Sequence, residues 1–585
     1  MDFYGFYTGQ VFDAYQYLGA HRSGNGFVFR TFAPSASRIA LIGEFSQWQE
    51  VPMQKIHDGN FWECFVEDAQ PGMMYKYRIY RRDGGFMDHC DPYGFGMELR
   101  PNSASILRDL SYTFHDEGWM RRRTDGKSGP LNIFEVHFGS FQKPSDWADA
   151  WYSYEEMIDR LIPYAKDQGY NYLELMPLAE YPCDESWGYQ TTGFFSPTSR
   201  YGTANQLKAF VDACHRENIG VIMDFVPVHF AVDGYALAQY DGTPLYEYPS
   251  SAVGESEWGS FNFMHSRGEV RSFLQSAANY WLAEYHMDGL RMDAVSRAIY
   301  WQGDPARGVN GNAVEFLKNM NRGLKERHPT AILAAEDSTT FPNVTKPAAE
   351  GGLGFDYKWD LGWMHDTLDY FRSGPEYRSR DYHKLTFAMS YFYGHRHLLP
   401  LSHDEVVHGK ATILQQMNGA YEDKFPQARA FYMYMYAHPG KKLNFMGNEI
   451  GHFREWDEKR EQDWGLLDYP AHQDFQSFMK ALNQLYLTHP ALWEGDYRPE
   501  GFQWLDCHQE ERCIYAIQRS GGVERLAAVF NFSAQPQDYQ LKIPKAGELR
   551  LVMSSELGTE TVKRPSGGTF ALHLTPFSGV YYQII

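Results

Sequence analysis

Four short segments of the 585-residue chain combine carboxylates, histidines or an arginine with apolar, strand-like runs. One of them, residues 285–297, reads Tyr-His-Met-Asp-Gly-Leu-Arg-Met-Asp-Ala-Val-Ser-Arg and places Arg291 two residues before Asp293. Alternate side chains of a strand share a face, so these two charges should point the same way. Buried Arg and Asp rarely occur without a partner or a task. In isolation, the pair would be interpreted as a structural ion pair.

The other three segments carry acids and histidines in a matching position, near the end of an apolar run. They are Val-Ile-Met-Asp-Phe-Val-Pro-Val-His, with Asp224 and His229; Ile-Leu-Ala-Ala-Glu-Asp, with Glu336; and Leu-Pro-Leu-Ser-His-Asp-Glu, with His403 and Asp404. In a closed barrel of parallel strands, the carboxyl ends of different strands converge on one mouth. The four segments therefore predict a carboxylate site that also holds an arginine.

Strand-like and helix-like runs alternate between residues 111 and 490, which indicates parallel strands with crossover helices. Eight strands are predicted, near residues 132–138, 170–176, 219–224, 289–295, 332–336, 355–359, 397–401 and 442–445. The predicted fold class is α/β, a (β/α)8 TIM barrel. A helix is predicted over residues 154–168, and the Gly-, Tyr- and Ser-rich residues 230–262 predict a long loop over the site.

All-β patterns flank the predicted barrel. Residues 1–110 and 491–585 contain short β-branched or aromatic runs separated by Gly, Pro and Asp turns, the spacing of a β-sandwich. We therefore expect three domains: an N-terminal β-sandwich at 1–110, the catalytic barrel at 111–490 and a C-terminal β-sandwich at 491–585.

Charge and composition restrict the partners. The net charge of −20 argues against nucleic acid or an anionic membrane as the main partner, because both attract basic surfaces. A neutral polymer is compatible with that charge. The aromatic content of 16% fits both a large core and sugar stacking, since flat rings cover the apolar faces of pyranoses.

Cysteine usage and the chain start predict a soluble cytoplasmic protein. The six cysteines form no Cys-x-x-Cys pair, which favours reduced thiols over disulfides or a zinc site. No Lys or Arg precedes Arg22, so a signal peptide is not expected, and no apolar run reaches the roughly 18 residues of a membrane span.

The four segments, in this order and spacing, resemble the signature regions of the α-amylase superfamily of retaining α-glucan enzymes. Further motifs are similar to those of glycogen (1,4-α-glucan) branching enzymes. These are Gly-Tyr-Gln-Thr-Thr-Gly-Phe-Phe-Ser-Pro-Thr-Ser-Arg-Tyr-Gly at 188–202, His-Asp-Glu-Val-Val-His-Gly-Lys at 403–410, and Gly-Asn-Glu at 447–449 followed by Phe-Arg-Glu-Trp at 453–456 and Asp-Trp at 463–464. Residues 43–48 and 91–94 resemble the carbohydrate-binding-type module that precedes the barrel in branching and debranching enzymes.

The resemblance implies three catalytic carboxylates. Asp293 would be the nucleophile and Glu336 the acid/base, with a pKa that its environment raises. Asp404 would bind sugar hydroxyls and distort the ring. Arg291 would keep Asp293 ionised, because a nearby cation favours the charged form. Asp224 would orient Arg291.

The resemblance also implies substrate contacts. His229 and His403 would donate hydrogen bonds to sugar hydroxyls, and Tyr189 would stack on the same sugar. The expected substrate and partner is an α-1,4-glucan polymer such as glycogen, amylose or amylopectin, with no cofactor; the oligomeric state is open.

One departure concerns a metal. Val228 stands where many calcium-dependent amylases have a ligand Asn before the histidine, so no structural calcium is expected there. Three further residues differ from those that are common in branching enzymes at the matching positions: Phe225, Asp337 and His452. The same carboxylates serve a hydrolase, a debranching enzyme or a trehalose-releasing enzyme, and these stay alternatives; a non-catalytic glucan-binding protein is disfavoured because all three carboxylates are present.

Overall fold

Eight parallel strands close into a barrel in the computed structural model, which describes residues 1–585. The strands, in barrel order, are Asn132–Val136, Tyr172–Leu175, Gly220–Phe225, Gly289–Met292, Ile332–Ala335, Tyr357–Trp359, His397–Leu401 and Lys441–Phe445. Every residue in them is buried. Burial on both faces explains why most of these strands are largely apolar and lack a regular alternation of polar and apolar residues. The predicted (β/α)8 fold class is confirmed.

Helices separate the barrel strands and supply the outer layer. The α-helices of the chain are Phe3–Thr8, Glu117–Arg122, Phe138–Phe141, Leu161–Asp167, Ala204–Arg216, Ser251–Gly254, Gly268–Glu284, Val295–Ile299, Gly311–Arg327, Leu361–Arg372, Lys384–Phe387, Ile413–Gln416, Tyr421–Ala437 and Pro470–Thr488. The single helix predicted over residues 154–168 is wrong in extent. A short 3-10 turn, Glu156–Asp159, precedes the helix Leu161–Asp167, and Pro163 lies within the first turn of that helix, a position that proline tolerates.

The N-terminal sandwich contains two antiparallel sheets. One sheet has the order Gly19–Ser23, Gly26–Phe32, Phe61–Glu67, Gln54–Ile56; the other has Val51–Pro52, Arg38–Gly43, Met74–Tyr80, Phe86–His89, with Ser105–Ile106 added to Met74–Tyr80. Alternation of buried and half-buried residues along Met74–Tyr80 is typical of a strand with one face in a core.

The C-terminal sandwich likewise contains two sheets. Its six-stranded sheet runs Phe502–Gln509, Ile514–Gly521, Glu524–Asn531, Ser578–Ile584, Leu549–Ser554, Val562–Lys563, and its second sheet pairs Gln537–Leu541 with Phe570–Leu574. Val529, Leu541 and Leu572 belong to one core shared by the two sheets. The all-β domains predicted at both ends are confirmed, whereas their boundaries at residues 110 and 490 stay predictions.

By packing, the chain divides into two compact units. The first comprises Met1–Arg123, His137–Ile162 and Glu174–Phe355; the second comprises Thr124–Val136, Pro163–Leu173 and Asp356–Ile585. Within the first, the helix Phe3–Thr8 packs on Gly268–Glu284, where Ser272 donates to the carbonyl of Phe6.

Within the second unit, buried Arg519 binds Asp496 and the carbonyl of Ala437, which ties the C-terminal sandwich to the helix Tyr421–Ala437. None of the helices is both long and apolar enough to cross a membrane.

Candidate active site

A buried arginine organises the carboxylates of the first unit. The third and fourth barrel strands pair in parallel with Asp224 opposite Arg291. Arg291 Nη1 donates to Asp224 Oδ1 at 2.7 Å and to Asp293 Oδ1 at 3.0 Å. The Tyr189 hydroxyl donates to Asp224 Oδ2 at 2.5 Å, and the Arg291 guanidinium lies 5.8 Å from the centre of the Tyr189 ring. The predicted common face of Arg291 and Asp293 is confirmed.

Burial and charge act in opposite directions on this pair. Burial raises the pKa of Asp224 to about 7; Arg291 opposes the shift and Asp293 adds to it. Burial works to lower the pKa of Arg291, but Asp224 and the other neighbouring groups hold it well above its usual range. The guanidinium therefore stays charged, which favours an ionised Asp293 beside it.

The Asp293 carboxylate is approached from a second side by a histidine. Asp293 follows the fourth barrel strand, and its backbone N–H donates to the carbonyl of Phe225 at 3.0 Å. His229 Nε2 lies 3.8 Å from Asp293 Oδ2. Arg291 and His229 thus contact different oxygens of one carboxylate that remains partly open to solvent.

The next residue, Ala294, links the two carboxylates. Its backbone has φ +52°, a left-handed conformation that costs a non-glycine residue about 1–3 kcal/mol. In that conformation its N–H donates to Glu336 Oε2 at 2.7 Å. The same Glu336 oxygen lies 3.8 Å from Arg291 Nη2. A carboxylate pair held by one arginine on adjacent strands can supply the nucleophile and the acid/base of a glycosyl transfer.

The segment predicted to be a long loop, residues 230–262, takes part in a short strand pair. His229–Ala231 pairs antiparallel with Ser260–Asn262, and a helical turn, Ser251–Gly254, lies between them. This pairing brings the Trp258 ring to 5.3 Å from the His229 ring, centre to centre. Trp258 was not predicted from the sequence, because it adjoins the site through a strand pairing of residues 29–33 positions apart.

The second unit holds the remaining candidate residues. His403 is held by an acid that is distant in sequence. Its backbone N–H donates to Glu135 Oε2 at 3.0 Å, and its Nδ1 lies 2.5 Å from Glu135 Oε1. His403 Nε2 is 3.4 Å from Asp404 Oδ1, and the Asp404 side chain is about half exposed. Glu135 was missed in the sequence, although a fully buried acid within the first barrel strand was the available signal.

The structure therefore groups Tyr189, Asp224, His229, Arg291, Asp293 and Glu336 in the first unit and pairs His403 with Asp404 in the second. Three or more His, Cys, Asp or Glu residues arranged to hold a metal ion are not found. Val228 is buried and offers no ligand atom. The absence of calcium at Val228 stays a prediction.

Three protein-family models match stretches of the chain. Residues 149–241 and 259–532 match the α-amylase catalytic domain, residues 17–94 match carbohydrate-binding module 48 (isoamylase N-terminal domain), and residues 504–584 match the α-amylase C-terminal all-β domain. The chain belongs to the α-amylase family.

Curated relatives define its place in that family. The chain is 43% identical over 565 residues to the 1,4-alpha-glucan branching enzyme GlgB of Fusobacterium nucleatum, covering 95% of this chain and 91% of that one. It is 42% identical to the GlgB of Bacillus caldolyticus, covering 95% and 85%, and 41% identical to that of Geobacillus stearothermophilus, covering 95% and 89%. Within the α-amylase family, the chain is thus a member of the 1,4-α-glucan branching enzymes.

Solved structures agree on the fold. A putative alpha amylase from Salmonella typhimurium superimposes with a TM-score of 0.74 at 20% identity, covering 97% of this chain and 100% of that one. A pullulanase from Bacillus acidopullulyticus also has a TM-score of 0.74, at 16% identity, covering 97% and 74%.

Proposed function

We propose that this chain is a 1,4-α-glucan branching enzyme that cleaves an α-1,4 bond and transfers the freed chain to a glucan 6-hydroxyl, with retention at the anomeric carbon. The observation that carries the mechanism is the buried Arg291, which holds Asp293 and lies 3.8 Å from Glu336. Membership of the family supports the choice of reaction.

In the first half-reaction, an oxygen of Asp293 attacks the anomeric carbon of the donor glucan as the bond to the 4-oxygen of the departing chain breaks. Glu336 gives its proton to the 4-oxygen of the departing chain. The product is a β-glucosyl ester on Asp293, and Arg291 stabilises the carboxylate charge that is consumed and later restored. The requirement that Glu336 begin protonated stays a prediction.

In the second half-reaction, the 6-hydroxyl of an acceptor glucan loses its proton to Glu336. The 6-oxygen forms a bond to the anomeric carbon, and the ester bond to Asp293 breaks. Two inversions give an α-1,6 linkage, and both carboxyl groups return to their starting protonation states.

The remaining residues bind and position the sugar. We assign a stacking role to Tyr189, hydrogen bonds to sugar hydroxyls to His229 and His403, and ring distortion to Asp404. Asp224 acts through Arg291 and not on the substrate, a role that its 2.7 Å contact with Nη1 supports.

Proton NMR of amylose treated with the purified protein tests the proposed function. New α-1,6 signals with few new reducing ends are expected of a branching transferase. Rising reducing ends without α-1,6 signals would instead identify a hydrolase that uses the same carboxylates.

We also propose a cytoplasmic location. The six cysteines are all free thiols, and three of them are buried. Reduced thiols are the usual state in a reducing compartment. Detection of the native protein in a cytoplasmic cell fraction is the corresponding test.

A further inference from the structure

A tight turn presents Trp258 beside the candidate active site. Ser256 N donates to the carbonyl of Ser260 at 2.8 Å, and the two serine hydroxyls are 2.6 Å apart. Trp258 N donates to Ser256 Oγ at 3.2 Å, and Gln190 Nε2 donates to the Trp258 carbonyl at 2.9 Å. The backbone of the turn is therefore fixed on both sides of Trp258.

The Trp258 side chain is held from behind by Arg297. The Arg297 guanidinium lies 4.4 Å from the centre of a Trp258 ring, a cation–π distance. Arg297 is almost fully buried and binds Glu257 at 2.8 Å and Gln302 Oε1 at 2.9 Å. Gln302 Nε2 in turn donates to the carbonyls of Ala252 and Glu255, so the contact is braced by the same loop.

Trp258 is nevertheless 47% exposed. An indole that served the core would be buried, whereas this one is immobilised with much of its surface in water. Immobilised, exposed aromatic faces suit the apolar faces of pyranose rings. Arg297 already restricts the rotation of the Trp258 ring in the free protein, so little side-chain entropy is lost when a ligand stacks on it.

Arg297 connects this aromatic surface to the backbone segment that binds the acid/base. Arg297 lies in the helix Val295–Ile299, directly after Ala294, whose N–H binds Glu336 Oε2. Val295 N also donates to the carbonyl of Glu336 at 3.0 Å. The Glu336 carboxyl exchanges its proton first with the departing chain and then with the arriving chain, so after the departing chain has left, a sugar bound near Glu336 belongs to the acceptor.

We infer that Trp258 is an acceptor-side platform, on which a glucosyl residue of the incoming α-glucan stacks while its 6-hydroxyl approaches the glucosyl ester on Asp293. This inference rests on the proposed function. The bound chain excludes water from the ester, so the 6-oxygen and not water forms the bond to the anomeric carbon. The hydroxyl proton passes to Glu336 and the Asp293 ester bond breaks.

The test compares Trp258→Ala with Trp258→Phe, which keeps an aromatic face, and with Phe387→Ala, which removes an exposed aromatic residue of the helix Lys384–Phe387 that has no assigned role in binding or catalysis. Each purified protein is incubated with amylose, and new reducing ends are counted per new α-1,6 linkage. Equal melting temperatures establish that the variants are folded, as expected for an exposed side chain.

For Trp258→Ala, we expect about a five- to tenfold rise in reducing ends per α-1,6 linkage, because water then competes for the ester. Trp258→Phe and Phe387→Ala should keep the wild-type ratio. An unchanged ratio in Trp258→Ala, or an equal fall of both products, would overturn the inference while the wild-type enzyme still branches. A wild-type protein that forms no α-1,6 linkage would contradict the proposed function itself.

Discussion

Single side chains divide into those that react and those that hold others in place. Arg291 touches both Asp224 and Asp293, and its burial removes the competing water that would weaken these contacts. Glu336 Oε2 accepts from the amide of the strained Ala294 and lies 3.8 Å from Arg291 Nη2. Substitutions should therefore separate chemical roles from positioning roles.

Glu336→Gln keeps the size and hydrogen bonding of the side chain but removes its proton exchange. We expect the rate of iodine-stain loss with amylose to fall about 10²–10⁴-fold, while affinity electrophoresis shows unchanged glucan binding. Asp337→Asn, the matched control at the next residue, should retain most of the turnover. Substantial activity in Glu336→Gln would show that another group is the acid.

Tyr189 can act through its ring or through its hydroxyl. If stacking dominates, Tyr189→Phe should lower kcat/KM only about fivefold, the value of one lost hydrogen bond to Asp224. Tyr189→Ala should lower it by a further tenfold or more. Equal losses in both variants would assign the role to the hydroxyl alone, and steady-state kinetics on amylose distinguishes the two results.

Among the elements, the amino ends of the barrel strands carry a second polar network. Asp288, just before the fourth barrel strand, accepts from Val221 N and lies 2.7 Å from His215 Nε2, while His215 Nδ1 lies 2.7 Å from Asp116. Burial opposes charging of His215, but Asp288 and Asp116 raise the pKa of its imidazole to about 9. This network stabilises the helix Ala204–Arg216 against the barrel and lies at the strand ends opposite to Asp293.

The raised pKa of His215 predicts a pH dependence of stability. The folded-state pKa of about 9 exceeds the unfolded value of about 6.5, so the contribution is complete below pH 6.5 and is lost as pH rises through 9. The loss should be on the order of 3 kcal/mol. Urea midpoints at pH 6 and pH 9.5 measure it: the fall should be much smaller in His215→Gln and unchanged in His115→Gln, an exposed control.

The elements that sequence could predict are those with local signals. Eight barrel strands were predicted because each is a short strand-like run, most of them largely apolar, between helix-like runs. The pairing of His229–Ala231 with Ser260–Asn262 was not, because only the closed loop brings these residues together. The contact of Glu135 with His403 was not predicted either, because the two residues are 268 positions apart and the sequence around one does not indicate the other.

For the molecule as a whole, the C-terminal sandwich is joined to its unit through buried polar contacts. Besides Asp496 and Ala437, Arg519 donates to the carbonyl of Gly501, and Lys441 Nζ lies 3.1 Å from Asp496. Tyr382 donates to the carbonyl of Ile514 at 2.6 Å. Such contacts couple the unfolding of the sandwich to that of the helices that it covers.

Removal of one partner should show this coupling. Arg519→Ala leaves Asp496 buried with one cation fewer, and we expect the free energy of unfolding to fall by about 3–5 kcal/mol in urea titrations. Arg525→Ala, on the neighbouring strand and without a buried ion pair, should change it by less than about 0.5 kcal/mol. A similar, small effect for both substitutions would contradict the coupling.

The central claim is that Asp293 forms a covalent glucosyl ester, which Glu336 helps to make and to resolve. Trapping that ester tests the claim most directly. Maltosyl fluoride needs no acid to release its leaving group, so Glu336→Gln should form the ester and then fail to transfer it. Peptide mass spectrometry should find the maltosyl group on Asp293 and none in the Asp293→Asn protein. A maltosyl group on another residue, or none in Glu336→Gln, would contradict the account.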